Sequence, residues 1–118
     1  MNDKSSLQVT DEQSKAVQKT TNRVALQQIE DAILETHYFN LRDGVRGADW
    51  IKNGALSHPS ERLQTLTMCV LVFKNGFVQI GYSAPADPDN FNAELGRKFA
   101  RENAIREVWP KFGFALCD

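Results

Sequence analysis

Apolar residues are densest over residues 66–84, where LeuThrMetCysValLeuValPhe and PheValGlnIleGlyTyrSerAla flank LysAsnGly. Both runs are rich in residues that favour strands. Asn75-Gly76 suits positive φ at both centres of a type I′ turn, so the pattern predicts a β-hairpin. A two-residue turn sets Lys74 opposite Phe77, Phe73 opposite Val78, Leu71 opposite Ile80, Cys69 opposite Tyr82 and Thr67 opposite Ala84. Side chains alternate along a strand, so Phe73, Leu71, Cys69, Val78, Ile80 and Tyr82 are expected on one face. Met68, Val70, Val72 and Phe77 are expected on the other. That second face is too apolar to be fully wetted, so either the N-terminal helix or another chain is expected to cover it, and an exposed patch of that kind usually marks an interaction surface.

A three- and four-residue spacing of Leu26, Ile29 and Ile33, with Val24, Ala32 and His37 beside them, predicts a helix over 24–37. Residues 40–65 scatter Gly44, Gly47, Gly54 and Pro59 among charges and read as a long irregular connection pinned by Trp50 and Ile51. After the hairpin, Asp87 is a natural N-cap with Pro88 in the first helical position. The helix they open is expected to stop before Pro110. Alternation of Phe112, Phe114 and Leu116 then suggests a short terminal strand.

The 88–109 helix has two apolar sides. Phe91, Leu95, Phe99, Ile105 and Trp109 form a bulky stripe, interrupted by Glu102, that is expected to cover the hairpin. Gly96, Ala100 and Ala104 recur every four residues on the opposite side. A glycine inside a helix costs about 1 kcal/mol relative to alanine, so Gly96 implies close packing, here against the first helix or another subunit. Residues 1–22 are polar and lack the apolar surface to offset chain entropy. Thr10 to Gln13 has capping-box spacing that would open a short helix over 11–19. The expected architecture is therefore α+β: a flexible segment over 1–22, then one domain over 23–118. That domain holds an N-terminal helix, an antiparallel hairpin, a long C-terminal helix and the terminal strand.

With 118 residues and a net charge of −1, the chain is one domain without the basic excess that nucleic-acid binders carry. It has two cysteines, Cys69 and Cys117, with no CxxC or Cys/His spacing. No apolar run approaches a membrane span, and the polar N-terminal stretch has no secretory pattern. Both point to intracellular residence. Asp87, Asp89 and Glu94 lack the ligand order of a calcium loop. His37 and His58 have no nucleophile in sequence context. No catalytic residue, metal set or cofactor motif is predicted. Arg97 and Arg101, one helical turn apart with Lys98 between them, are the candidate binding residues. Paired guanidinium groups can hold a phosphate or a partner's carboxylates.

PheAsnAlaGluLeuGlyArgLysPheAlaArgGluAsnAlaIleArgGluValTrp (91–109), with AsnGlyPhe (75–77), ArgValAlaLeuGlnGlnIleGluAspAlaIle (23–33) and HisTyrPhe (37–39), resembles a small family of tailed-phage and prophage proteins. That family is named after gene products forty-nine and sixty-six of two enterobacterial phages. Ala25 departs from it, standing where the family is expected to place a helix-capping threonine. The resemblance implies a phage accessory product and carries over no catalytic residue. The expected function is non-enzymatic binding of a host component during host takeover or counter-defence. Alternatives are a sponge for a small phosphorylated nucleotide signal and, less favoured by charge, a nucleic-acid binder. A homodimer is expected, through helix packing at Gly96, Ala100 and Ala104 or through the hairpin.

Overall fold

The computed structural model describes residues 24–117, with side chains to Phe112. The segment 1–22 and its expected helix over 11–19 lie outside the described residues. Three antiparallel strands form the sheet in the order β1-β2-β3. They are β1 (Ile33–Asn40), β2 (Thr67–Phe73) and β3 (Val78–Ser83). Among the described residues three α-helices accompany them: α1 (Leu26–Asp31), α2 (Leu41–Asn53) and α3 (Ala93–Cys117). The α+β class and the long C-terminal helix follow the sequence pattern.

The first helix is much shorter than 24–37. It spans only Leu26–Asp31, and the chain then extends as β1. IleLeuGluThrHisTyrPheAsn is rich in β-branched and aromatic residues. A two-stranded ribbon alone is marginal in water, and β1 completes a sheet by pairing with β2. Ala25 begins α1 without a side-chain cap. Its own N–H instead donates to Gln28 Oε1 at 2.8 Å.

The supposed irregular stretch over 40–65 holds α2 and a 3₁₀ turn over Glu61–Thr65. Asn40 opens α2: its Oδ1 accepts from the Asp43 N–H at 2.8 Å, and its Nδ2 donates to Asp43 Oδ2 at 2.9 Å. Gly54 closes it with φ 68°, the left-handed conformation that ends many helices. Asp87 caps a 3₁₀ turn over Pro88–Asn90 rather than the main helix. The side chain of Asn92 caps α3 by accepting from the Leu95 N–H. Helix α3 runs through Pro110 to Cys117, so the expected terminal strand is absent. Phe112, one half-turn beyond the proline, is buried with its ring centroid 4.7 Å from that of Phe73. That contact holds the last turns on the sheet despite the backbone hydrogen bond lost at Pro110.

The hairpin forms one residue out of the expected register. Gly76 has φ 93°, and no non-glycine among the described residues has positive φ, so a type I′ turn is excluded. The loop is three residues, 74–76. The Gly76 N–H donates to the Phe73 carbonyl, the Phe73 N–H to the Phe77 carbonyl, and the Phe77 N–H to Asn75 Oδ1. Cys69 then faces Gly81, Leu71 faces Gln79 and Val70 faces Ile80. A one-residue slip exchanges faces. Val78, Ile80 and Tyr82 leave the core face and join Met68, Val70 and Val72. Phe77 moves to the core face, its ring 5.9 Å from Phe112.

The core lies between that face and α3. Cys69, Leu71 and Phe73 meet Ala100, Ala104, Ile105, Val108 and Phe112, and Val24 and Ile29 of the α1 region complete it. Trp109 Nε1 donates to the Val24 carbonyl at 2.8 Å and fastens the start of α1 to α3. The small side of α3, joined by Ile105 from the bulky stripe, covers the sheet, while the N-terminal part of that stripe faces outward. Leu95 and Phe99 stay 47% and 50% exposed. A Cβ on Gly81 would lie 2.4 Å from both the Ala100 carbonyl oxygen and the Ala104 nitrogen. Gly96 meets β2 in the same way, since a Cβ there would lie 2.5 Å from Thr67 Oγ1. The backbone admitted by Gly96, Ala100 and Ala104 is therefore that of the chain's own sheet. These three are core residues, not the subunit interface expected of them.

Gly81→Ala is expected to lower stability by about 3 kcal/mol, the upper end of overpacking costs, because the obstructing atoms are backbone. Thermal unfolding would then fall by more than about 10 °C. Gly47→Ala, in α2 with nothing within 4 Å of the added Cβ, should raise stability by up to about 1 kcal/mol.

Candidate binding site

At the end of the sheet where β1 turns into α2, a cleft of about 410 Å³ opens toward the first turns of α3. β1 contributes Tyr38, Phe39 and Asn40 to its wall, and α2 contributes Asp43. Gln64 and Thr67 come from the 3₁₀ turn over Glu61–Thr65 and from β2, Phe91 from the end of the turn over Pro88–Asn90, and Ala93 and Arg97 from the start of α3. The register explains the wall: Tyr38 pairs with Cys69 and Asn40 with Thr67 on the helix-covered side of the sheet. Gly96 sets the depth by letting α3 settle on Thr67, which leaves Arg97 on the cleft side.

The three basic residues singled out in the sequence are separated by the fold. Arg97 lines the cleft and makes no ion pair or hydrogen bond among the described residues. Arg101 reaches away to α1, its Nη2 3.2 Å from Glu30 Oε2. Lys98 is exposed, with Nζ 5.9 Å from the centroid of the Phe99 ring. A two-arginine clamp is not assembled, and Arg97 alone remains for a ligand. Of the four expected interface residues of the hairpin, Met68, Val70 and Val72 share the open sheet face, whereas Phe77 does not.

Tyr38, Phe39, Asn40 and Asp43 were missed because their segment reads as the end of a helix and the start of a loop. Two signals were available: the β-forming run ThrHisTyrPhe, and Asn40 followed three residues later by Asp43, a helix-start pattern.

Behind the cleft wall, Tyr38 and Cys69 are cross-strand partners, and each affects the other's proton affinity. Burial pushes the Cys69 thiol up to about 11, outweighing the lowering effects of Arg101 and of the Tyr38 contact. Burial also raises Tyr38, and Cys69 adds to that rise. Both groups stay protonated at neutral pH. Cys69 is thus a packed thiol rather than a nucleophile.

The profile of the phage protein (N4 Gp49/phage Sf6 gene 66) family matches residues 24–118. The chain belongs to that family. The match spans every described element, from α1 through the sheet to α3. No curated protein and no solved structure matches the chain. Among the described residues of this family member, no helix is long and apolar enough to cross a membrane.

The raised thiol sets a pH dependence. The folded protein holds the Cys69 proton more tightly than the unfolded chain does. Stability from this group is therefore complete below the ordinary thiol value of 9.0 and is lost as pH rises toward about 11. Denaturant melts from neutral pH to the alkaline range should show a decline that is shallower in Cys69→Ala.

Proposed function

We propose that this phage protein is a non-enzymatic accessory product that binds a host component in the bacterial cytoplasm during takeover or counter-defence. The component its geometry suits best is a small phosphorylated ligand, held in the cleft beside Arg97. One observation carries this reading: a guanidinium group without a protein partner among the described residues lines a cleft of about 410 Å³ that also carries the aromatic residues Tyr38 and Phe91. The volume falls in the range of small-molecule sites, roughly 300–1,000 Å³. A guanidinium fork matches phosphate oxygens, and an aromatic wall can stack a base. Ala93, the first residue of α3, places the positive end of that helix beside the same space. Asp43 and Gln64 supply acceptors for base amino groups.

The non-enzymatic part is supported by the packed, protonated Cys69. It is also supported by His37, which sits on the open face of the sheet, paired at 2.9 Å with Glu35. A nucleic-acid polymer fits poorly, because a chain with a net charge of −1 lacks the basic excess that neutralises many phosphates. A host protein as the bound component would dock on the open sheet face, which has neither the cleft nor its charge.

Thermal-shift measurements with mono-, di- and cyclic nucleotides test the reading. A ligand at 100 times its dissociation constant should stabilise the protein by about 2.7 kcal/mol. Arg97→Ala should weaken that ligand at least tenfold while leaving the melting temperature of the free protein nearly unchanged, since the residue is exposed. Absence of stabilisation by any of these nucleotides would refute it.

A further inference from the structure

We propose that the sheet face opposite α3 is a homodimer interface, where two copies pack sheet against sheet. The pairing register places three residues from each strand on this face: Glu35, His37 and Phe39; Met68, Val70 and Val72; Val78, Ile80 and Tyr82. Val78, Ile80 and Tyr82 are 59%, 53% and 60% exposed, the opposite of their neighbours Cys69 and Leu71 on the helix side, which are fully buried. The centre of the face is wholly apolar. Apart from the Tyr82 phenol, its only ionisable side chains, Glu35 and His37, lie on edge strand β1 and contact each other at 2.9 Å. An apolar centre with a polar rim is the anatomy of a specific interface. Nothing on the face repels a copy of itself.

Three features of the molecule favour a second copy on this face over other arrangements. The small stripe of α3 is already filled by the sheet, so helix-to-helix pairing through Gly96, Ala100 and Ala104 is closed. Edge pairing at β3 is blocked, because the outward N–H of Tyr82 donates to Asn103 Oδ1 and the Ile80 carbonyl accepts from Gln79 Nε2. The chain's own N-terminal segment is a poor cover, since residues 1–23 contain only Met1, Leu7, Val9 and Val17 as large apolar groups.

Size sets the expected strength. Three strands about 4.8 Å apart, each about seven residues long, present a plane of roughly 340 Å². The two planes together cover roughly 680 Å² before side-chain relief is added, the size of a weak, reversible contact rather than an obligate one. A micromolar dimer follows, with the two sheets about 10 Å apart.

Sedimentation equilibrium of the full chain across the micromolar range tests this. The expected result is a concentration-dependent rise to twice the mass of one chain. Ile80→Lys should raise the dissociation constant at least a hundredfold, while Phe99→Lys, on the exposed back of α3, should leave it unchanged. Circular dichroism checks that each variant folds. Should Ile80→Lys unfold, the double variant Val78→Thr with Ile80→Thr keeps the β-branched shape and should still weaken the dimer tenfold or more. A chain monomeric into the millimolar range overturns the proposal and leaves the face for a different partner. A dimer indifferent to the variants on β3, or one broken by Phe99→Lys, overturns it as well.

Discussion

Strand β3 can lie against α3 only because Gly81 has no side chain at the point where the backbone of Ala100 and Ala104 crosses it. A Cβ there would stand 2.4 Å from two backbone atoms of the helix. Alanine at 100 and 104, with glycine at 96, supplies the matching shallow side of α3. The consequence runs both ways. The helix sits low enough for Ile105, Val108 and Phe112 to reach Leu71 and Phe73, and its bulkier residues Leu95 and Phe99 are turned outward. Close packing of this kind leaves no space to absorb an added methyl group.

The same contact explains the hairpin register. Under the two-residue turn, Ile80 would have faced Leu71, and the bulky side chains of Ile80 and Tyr82 would have faced α3. The three-residue loop, with its positive φ at Gly76 alone, presents Gly81 to the helix instead. It also turns Val78, Ile80 and Tyr82 to the far side. An apolar open face is thus the structural counterpart of a tightly seated helix, since the residues removed from one layer must appear on the other.

The seat of α3 also shapes the cleft. Gly96 rests on Thr67, so the first turns of the helix approach the end of β1 and the start of α2. Arg97 lines the resulting space while Arg101, one turn on, is engaged by Glu30. A single arginine at an aromatic-lined cleft is a different device from the two-arginine clamp suggested by helical spacing. On the proposed reading it would select by fit around one anionic group rather than by charge density.

Much of this chain was determined locally. The alternation over 67–73 and 78–83, most of the long helix read over 88–109 and the turn at Asn75-Gly76 depend on nearest neighbours, and sequence alone identified them as elements. Membership of the phage family was carried by the same stretches. Three things were decided by tertiary structure. Residues 33–40 satisfy both a helical period and a strand propensity, and only pairing with β2 chose the strand. Pro110 favours a stop, yet burial of Phe112 against Phe73 carried the helix past it. The register shifted by one residue because the glycine at 81, rather than a branched side chain, is what the face of α3 can accept. Local propensity differs by fractions of a kcal/mol between such alternatives, whereas a backbone clash in a close-packed core costs several times more. The sequence by itself therefore determined which segments are strands and turns in the hairpin; which of their side chains are core and which remain open was settled by the helix laid across them.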